Sequence, residues 1–128
     1  MNIPDNLKYS QEHEWVRQDE HQLVIGITDY AQDSLGDIVF VSLPSVGDTF
    51  DRDAVVGEVE STKSVSDIYT PISGKVIRVN EALVDQPELV NSDPYGQGWI
   101  CAIDPTAPDE FAGLMDHTAY RAFTENQQ

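Results

Sequence analysis

Residues 58–68, EVESTKSVSDI, place one lysine between two runs typical of β-strands. The run before it, residues 55–60, alternates with a period of two, as side chains on the two faces of a strand do. The positions next to Lys63 carry small polar side chains, Ser61, Thr62 and Ser64. We therefore predict a β-hairpin with Lys63 at its tip, where no neighbouring side chain offers it a packing surface. Taken alone, this pattern also fits an ordinary solvated lysine with a weak, screened attraction to nearby carboxylates.

Strand-like runs recur along the rest of the chain. Apolar or alternating segments lie at residues 23–27, 38–43, 75–79 and 99–103, and turn-forming Gly, Pro, Asn and Asp residues separate them. We expect the first of these runs to be buried on one face only. Several short strands in one small domain are typical of a sandwich or a barrel.

Three segments break the strand pattern. Residues 28–36 begin with Thr28, carry an acid in the first turn and end with Gly36, which predicts a short helix. A single helical turn is expected at residues 85–90. Helical structure is expected again from Pro108, with an interruption near Gly113. Asp116 then caps a last helix, which places three side chains on one side: Ala119, Tyr120 and Phe123.

The charge balance excludes several classes of partner. The 128 residues include 23 acidic and seven basic side chains, which gives a formal net charge of −16. Binding of nucleic acid regardless of its sequence needs a basic face, and anionic lipid would repel this chain. No apolar run is long enough for a membrane span, and the first residues lack the pattern of a signal peptide. We expect one monomeric domain, residues 1–128, in the bacterial cytoplasm, although a trimmed mitochondrial protein would have a similar sequence.

Motifs for catalysis are missing from the sequence. The three histidines form no pair with metal-ligand spacing, and there is neither a Gly-rich phosphate loop nor a Gly-x-Ser-x-Gly elbow. His13 lies between Glu12 and Glu14, but in an extended segment both carboxylates point away from the ring, so we expect no metal site there. Cys101, the one cysteine, is expected to be a buried hydrophobe rather than a reactive thiol. We therefore expect a chain that is not an enzyme.

Blocks of sequence along the whole chain carry a family resemblance. The lysine block, residues 60–67, is followed by PISGKV at 71–76. Further blocks are YSQEHEW at 9–15, GITDYAQ at 26–32 with LGD at 35–37, NSDPYG at 91–96 with GW at 98–99, and an acidic C-terminal tail. In this order, and without detectable gaps, they resemble the glycine cleavage system H protein family. Many members have a histidine where this chain has Ser34, so no role of that imidazole is transferred.

The resemblance implies a mainly β fold, the barrel-sandwich hybrid of lipoyl and biotinyl domains, with a short helix after the first strands and a helical C-terminal tail. It also implies lipoic acid amide-linked to Lys63. On this arm the aminomethyl group of glycine and reducing equivalents move between a pyridoxal-phosphate glycine decarboxylase, a tetrahydrofolate-dependent aminomethyltransferase and dihydrolipoyl dehydrogenase. Lipoyl-attaching enzymes are further implied partners. Biotin carriers, with methionines beside the lysine, and the shorter lipoyl domains of 2-oxo acid dehydrogenases fit less well.

We expect the loaded arm to rest in a cleft near Glu14 and Asp67, with Glu12 on the same side as Glu14 if that segment is extended. A carboxylate there would hold the cationic amine of the cargo, and exclusion of water would protect it. Gly57 and Gly74 mark either close backbone approach or a bulge or turn. Two other functions stay open: a relay that donates lipoyl groups to other enzymes, and an unmodified acidic interaction module.

Overall fold

Two antiparallel sheets make up most of the computed structural model, which describes residues 1–126. The large sheet has the strand order β1-β2-β3-β9-β8-β5 and the small sheet has the order β4-β6-β7. The strands are β1 Lys8–Tyr9, β2 Glu14–Asp19, β3 Gln22–Ile27, β4 Ile38–Ser42, β5 Thr49–Phe50, β6 Val55–Ser61, β7 Val65–Tyr69, β8 Gly74–Val79 and β9 Cys101–Pro105. The mainly β sandwich expected from the sequence is confirmed.

The core lies between the two sheets. Apolar side chains of β2, β3, β8 and β9 from the large sheet form one continuous cluster with those of β4, β6 and β7 from the small sheet. Strands β6 and β7 contribute Val56, Val59 and Ile68 to this cluster, and the last two are each 1% exposed. The hairpin predicted around Lys63 is therefore anchored in the core by the inner face of its two strands.

Strand β3 was expected to be buried on one face, and this is wrong. Leu23, Ile25 and Ile27 face the main core, but Val24 is also fully buried on the opposite face. There Val24 joins a second apolar cluster, in which Trp15 of β2 and Tyr120 near the C-terminus take part. The terminal segments that build this cluster are remote in sequence. The alternation within residues 22–27 therefore could not show that they cover the second face of β3.

The short helix after β3 is confirmed as α1, Asp29–Leu35. The hydroxyl of Thr28 accepts a hydrogen bond from the backbone N–H of Ala31 over 3.2 Å, which caps the first turn. Gly36 ends the helix with a φ of 84°, a conformation that glycine adopts without a steric penalty. Helix α1 thus leads the chain directly from β3 of the large sheet to β4 of the small sheet.

The helical turn expected at residues 85–90 is misplaced. The structure has two short helices instead, α2 Ala82–Asp85 and α3 Leu89–Ser92. Pro87 lies between them and has no backbone N–H with which to continue the first helix. Each helix buries one apolar residue, Leu83 in α2 and Val90 in α3. The segment therefore packs on the core through two separate helical turns.

The C-terminal tail has the expected interruption and cap. Helix α4 spans Asp109–Ala112, and α5 spans His117–Glu125 after an N-cap in which the Asp116 carboxylate accepts from the N–H of Ala119 over 2.8 Å. Tyr120 stacks on Tyr9 with ring centroids 4.6 Å apart. Ala119, predicted to share this side, is exposed. Within residues 1–126 no helix has the length and apolar character needed to cross a membrane.

Cys101 is fully buried at the start of β9, as expected for a small hydrophobe. Burial raises the pKa of its thiol to about 12, so the thiolate is not populated near neutral pH. The strand itself begins two residues later than the run that predicted it, because Trp99 and Ile100 lie before the ladder.

Gly57 and Gly74 both lie where two backbones approach closely. A Cβ atom on Gly57 would collide with the carbonyl oxygen of Ser42 in β4, and one on Gly74 would collide with that of Asp104 next to it in β9. Gly57 also lies at the register shift between β6 and β7. The two explanations left open by the sequence therefore both hold at Gly57.

Replacing Gly57 by Ala should lower the free energy of unfolding by about 2–3 kcal/mol, because β4 and β6 must move apart to admit the methyl group. Urea denaturation followed by tryptophan fluorescence measures this. Gly113→Ala is the matched control, since its Cβ would have its nearest neighbour at 3.7 Å and its stability should stay within about 0.5 kcal/mol of wild type. Equal stability of both variants would contradict the close approach.

Candidate functional site

Lys63 lies in the tight turn between β6 and β7, where Thr62 and Lys63 are the two residues between the hydrogen-bonded Ser61 and Ser64. The N–H of Ser61 donates to the carbonyl of Ser64 over 2.8 Å. The Ser61 hydroxyl in turn accepts from the N–H groups of Ser64, over 3.0 Å, and Lys63, over 3.3 Å. The small polar residues of the tip therefore close the turn through their own hydroxyl groups, and the lysine side chain is left exposed.

The tip is also tied to the end of α1. The N–H of Thr62 donates to the carbonyl of Asp37 over 3.2 Å, and Ile38 pairs with Ser61. Gly36 lies under the lysine stem, since a Cβ added to it would be 3.3 Å from Cε of Lys63. The expectation that Lys63 has nothing to pack against is therefore wrong: its methylene groups cross the glycine that ends α1.

The primary amine of Lys63 is not engaged in an ion pair. Within the described part of the chain, the one ion pair shorter than 4.0 Å joins Arg52 and Asp53 at 3.8 Å. The acids that bracket the lysine in sequence instead face one another across the hairpin, Glu58 opposite Asp67, while Glu60 lies opposite Val65. Lys63 thus has a free nitrogen in an acidic neighbourhood.

Glu14 is buried where the large sheet meets the edge of the small one. Only 2% of the residue is exposed, although it carries a carboxyl group. Its Oε1 accepts from the Ser10 hydroxyl over 2.6 Å, and its Oε2 accepts from the backbone N–H of Tyr69 in β7 over 3.3 Å. Burial raises the pKa of Glu14 to about 7, and these two hydrogen bonds oppose the shift without cancelling it.

Asp67 lies on the same strand as the Tyr69 N–H, two residues nearer to the lysine. Its side chain is exposed, and no hydrogen bond joins it to Glu14. Strand β7 is the outer strand of the small sheet, and Lys63, Asp67 and the Glu14 carboxyl follow one another along it. The structure therefore arranges the lysine and the two predicted acids along one edge, not around one contact point.

Glu12 is separated from Glu14. The extended geometry assumed for this segment is absent, because His13 has a φ of 67° and the chain turns there. Glu12 is exposed while Glu14 is buried, and the charge of Glu12 acts on Glu14 only as one of the weaker causes of its raised pKa. A positive φ at a histidine is uncommon, and nothing in the local sequence signalled it.

His13 is held by its neighbours as a structural group. Its ring stacks on Tyr30 of α1 at 4.5 Å, and its Nδ1 shares a 2.8 Å hydrogen bond with the Tyr120 hydroxyl. That hydroxyl also lies 2.7 Å from the Thr28 hydroxyl. Burial lowers the pKa of His13, which favours the neutral ring. Among residues 1–126 no group of three His, Cys, Asp or Glu side chains is placed to hold a metal ion.

Sequence reasoning missed Ser10, Gly36 and the Tyr69 N–H as parts of this region. Ser10 and Gly36 stood in the conspicuous blocks YSQEHEW and LGD, so a signal for them existed. A backbone N–H carries no sequence signal, since every residue except proline has one. Ser34, where many relatives have histidine, is exposed on α1 and lines a surface cavity with Tyr30 and Asp33.

Comparison with known proteins gives one consistent result. The sequence profile of the family described as glycine cleavage H-protein matches residues 7–127. The glycine cleavage system H protein of Anaeromyxobacter sp. (strain K) is 52% identical over 128 residues, which is 100% of both chains. That of Listeria monocytogenes serotype 4b (strain F2365) is 52% identical over 120 residues, 94% of this chain and 96% of the relative. The crystal structure of a glycine cleavage system H protein from Mycobacterium marinum superimposes with a TM-score of 0.88 at 39% identity, covering 98% of this chain and 100% of that one.

Replacing Glu14 by Gln should change how stability depends on pH. Because the folded-state pKa is raised from its usual 4.5 to about 7, the stability contributed by the protonated carboxyl is complete below pH 4.5 and is lost as the pH rises through 7. Gln has no proton to release, so the stability of wild type relative to the variant should fall by up to about 3 kcal/mol between pH 4.5 and 8. Denaturant titrations at several pH values measure the slope.

Asp19→Asn is the control for this measurement, since it removes an exposed carboxyl at the far end of the same strand, and its charge is not among those acting on Glu14. That variant should keep the pH slope of wild type. Parallel pH profiles of wild type and Glu14→Gln would mean that the Glu14 carboxyl ionises in the folded protein as it does in the unfolded chain.

Proposed function

Since the chain belongs to the glycine cleavage H-protein family, the lipoyl carrier of the glycine cleavage system, we propose that lipoic acid is amide-linked to Nζ of Lys63. The observation that carries this proposal is the exposed, unpaired amine at the two-residue turn, with its stem over Gly36. Two other lysines are poorer candidates, because Lys8 and Lys75 lie within strands of the large sheet. A small, polar tip gives an attaching enzyme access to the nitrogen from several directions.

We propose that the chain is a carrier without catalytic activity, acting as a single domain over residues 1–128. Its own role is to present the lipoyl group to other enzymes. A bound lipoyl group supplies a reversible disulfide that takes up a one-carbon fragment or a pair of electrons. The proposed partners are the pyridoxal-phosphate glycine decarboxylase, the tetrahydrofolate-dependent aminomethyltransferase, dihydrolipoyl dehydrogenase and the lipoyl-attaching enzymes. A monomer in the bacterial cytoplasm would meet each of them in turn. The net charge of −16 suits basic docking surfaces on these enzymes.

The acids along the edge of β7 support the proposal that the loaded arm rests against the protein. From Lys63 the arm would follow the strand past Asp67 toward the buried carboxyl of Glu14. The ammonium group of an aminomethyl cargo would stabilise the ionised form of Glu14, because an adjacent positive charge offsets the burial that raises its pKa. Glu12 adds negative charge from the neighbouring turn. Burial at this point keeps water away from the cargo.

Replacing Lys63 by Arg should abolish attachment of the lipoyl group, because the guanidinium keeps the charge but offers no primary amine for amide formation. Intact mass spectrometry of protein from a lipoate-sufficient host, followed by peptide mapping, measures this. Lys75→Arg is the matched control, an exposed lysine on β8 that should leave the adduct in place. An adduct mapped to any residue other than Lys63 would refute the assignment.

Replacing Glu14 or Asp67 by Ala should shorten the lifetime of the aminomethyl cargo on the isolated carrier. Loss of a charge-assisted hydrogen bond and entry of water should accelerate release of the cargo as formaldehyde and ammonia by at least about threefold. The time course of formaldehyde release measures the lifetime. Asp19→Ala, an exposed acid at the opposite end of β2 from Glu14, is the control. Unchanged lifetimes in both test variants would show that these acids do not shelter the arm.

A further inference from the structure

Strand β4 turns two adjacent apolar side chains toward solvent. A regular strand alternates between its faces, but the register of β4 against β6 shifts between Ile38 and Phe40. Ile38 and Val41 are buried, whereas Val39 is 54% exposed and Phe40 is 52% exposed. The bulge therefore has a specific result: it presents a valine and a phenylalanine side by side on the protein surface.

These two residues lie next to the lysine turn. Phe40 pairs with Glu60 in β6, and Glu60 pairs with Val65 in β7, which is 57% exposed. Residues directly opposite one another in an antiparallel sheet point to the same face, so Phe40, Glu60 and Val65 form a row across its outer face. Val65 lies two residues after Lys63. We use the name tip patch for Val39, Phe40 and Val65.

Acidic side chains lie within and beside the tip patch, since Glu60 stands between Phe40 and Val65. The next row across the same face holds Ser42, Glu58 and Asp67, which are paired in that order. Strands β4, β6 and β7 contain no lysine or arginine, so Lys63 in the turn is the one cation of this hairpin and its neighbouring strand. An apolar patch that is crossed by Glu60 and followed by Glu58 and Asp67 is complementary to a partner surface that combines apolar and basic side chains.

We propose that the tip patch is the docking surface for the enzyme that attaches the lipoyl group to Lys63. This proposal rests on the proposed function of Lys63 and names the surface by which that lysine is selected. Val65 of the patch is two residues from Lys63 along the chain, so the patch is the apolar surface beside the turn where an enzyme that forms a bond at Nζ has to approach. Enzymes that act on the distal dithiolane meet the far end of a long arm and have no such constraint.

The chemistry at the acceptor needs close approach of the enzyme. The Lys63 ammonium first loses one proton, and its nitrogen then attacks the carbonyl carbon of a lipoyl-adenylate, made from lipoate and ATP. The bond between that carbon and the phosphate oxygen breaks, its electron pair leaves with the adenylate, and the nitrogen loses a second proton as the amide forms. Docking on apolar side chains beside the turn would hold the nitrogen in line with the acyl carbon and exclude water, which otherwise hydrolyses the adenylate.

The test uses the full-length apo protein, a purified bacterial lipoate–protein ligase, lipoate and ATP, with the product followed by intact mass. Val39→Thr, Phe40→Thr and Val65→Thr are made singly and together, since threonine is a polar residue whose β-branched shape suits a strand. Val46→Thr is the matched control, because Val46 is 62% exposed in the turn beyond β4, where the neighbouring Gly47 bonds to Val76 of β8. Acetic anhydride, a small acylating reagent, reports the intrinsic reactivity of Lys63 in each variant.

The triple variant should lose about tenfold in kcat/KM, mainly through KM, while Val46→Thr stays within about twofold of wild type. Reaction with acetic anhydride should be unchanged in all of them. If the triple variant unfolds, Val65→Thr alone should still lose about threefold. Wild-type rates in the folded variants would overturn the docking surface and leave lipoylation of Lys63 intact. Failure of the wild-type protein to accept a lipoyl group would overturn both proposals.

Discussion

The carboxyl group of Glu14 connects β2 of the large sheet to β7, the outer strand of the small sheet. Strand β7 has no neighbouring strand on its outer side, and a partly buried edge N–H that lacks an acceptor is unfavourable. Glu14 supplies that acceptor to Tyr69 while Ser10 satisfies its other oxygen. This contact adds to the pairing of β7 with β6 and to the burial of Ile68, which together place β7 and the lysine turn. The burial of Glu14 at this contact also raises the pKa of its carboxyl, because a carboxyl buried this deeply resists ionisation.

Local signals in the sequence predicted local structure well. The hairpin around Lys63, helix α1 with its Thr28 cap and the capped helix α5 all follow from patterns of fewer than about a dozen residues. The predictions that were wrong concerned features that depend on remote parts of the chain or on unusual backbone geometry. The second face of β3 is covered by the terminal segments, and Glu12 leaves the side of Glu14 because His13 has a positive φ. The tip patch was missed because a bulge is a property of strand register, which alternation alone does not encode.

The site is divided between a rigid base and an exposed rim. Glu14 and His13 belong to the base: Glu14 is held by Ser10 and the Tyr69 N–H, and His13 is held by stacking on α1 and a hydrogen bond from α5. Lys63 and the tip patch belong to the rim, on the outer face and end of the small sheet. A carrier that several enzymes must engage gains from this division, because the rim can contact each partner while the base keeps the same geometry.

The closed two-residue turn implies that folding of the chain precedes attachment of the lipoyl group. A two-stranded hairpin is at best marginally stable by itself in water, so the turn is well formed when β6 and β7 pair with β4 and pack against the large sheet. An unfolded or partly degraded chain still contains Lys63 but does not hold it in this turn. An attaching enzyme that recognises the turn would therefore discriminate between folded and unfolded protein. Lipoyl groups would be attached only to molecules that have already folded.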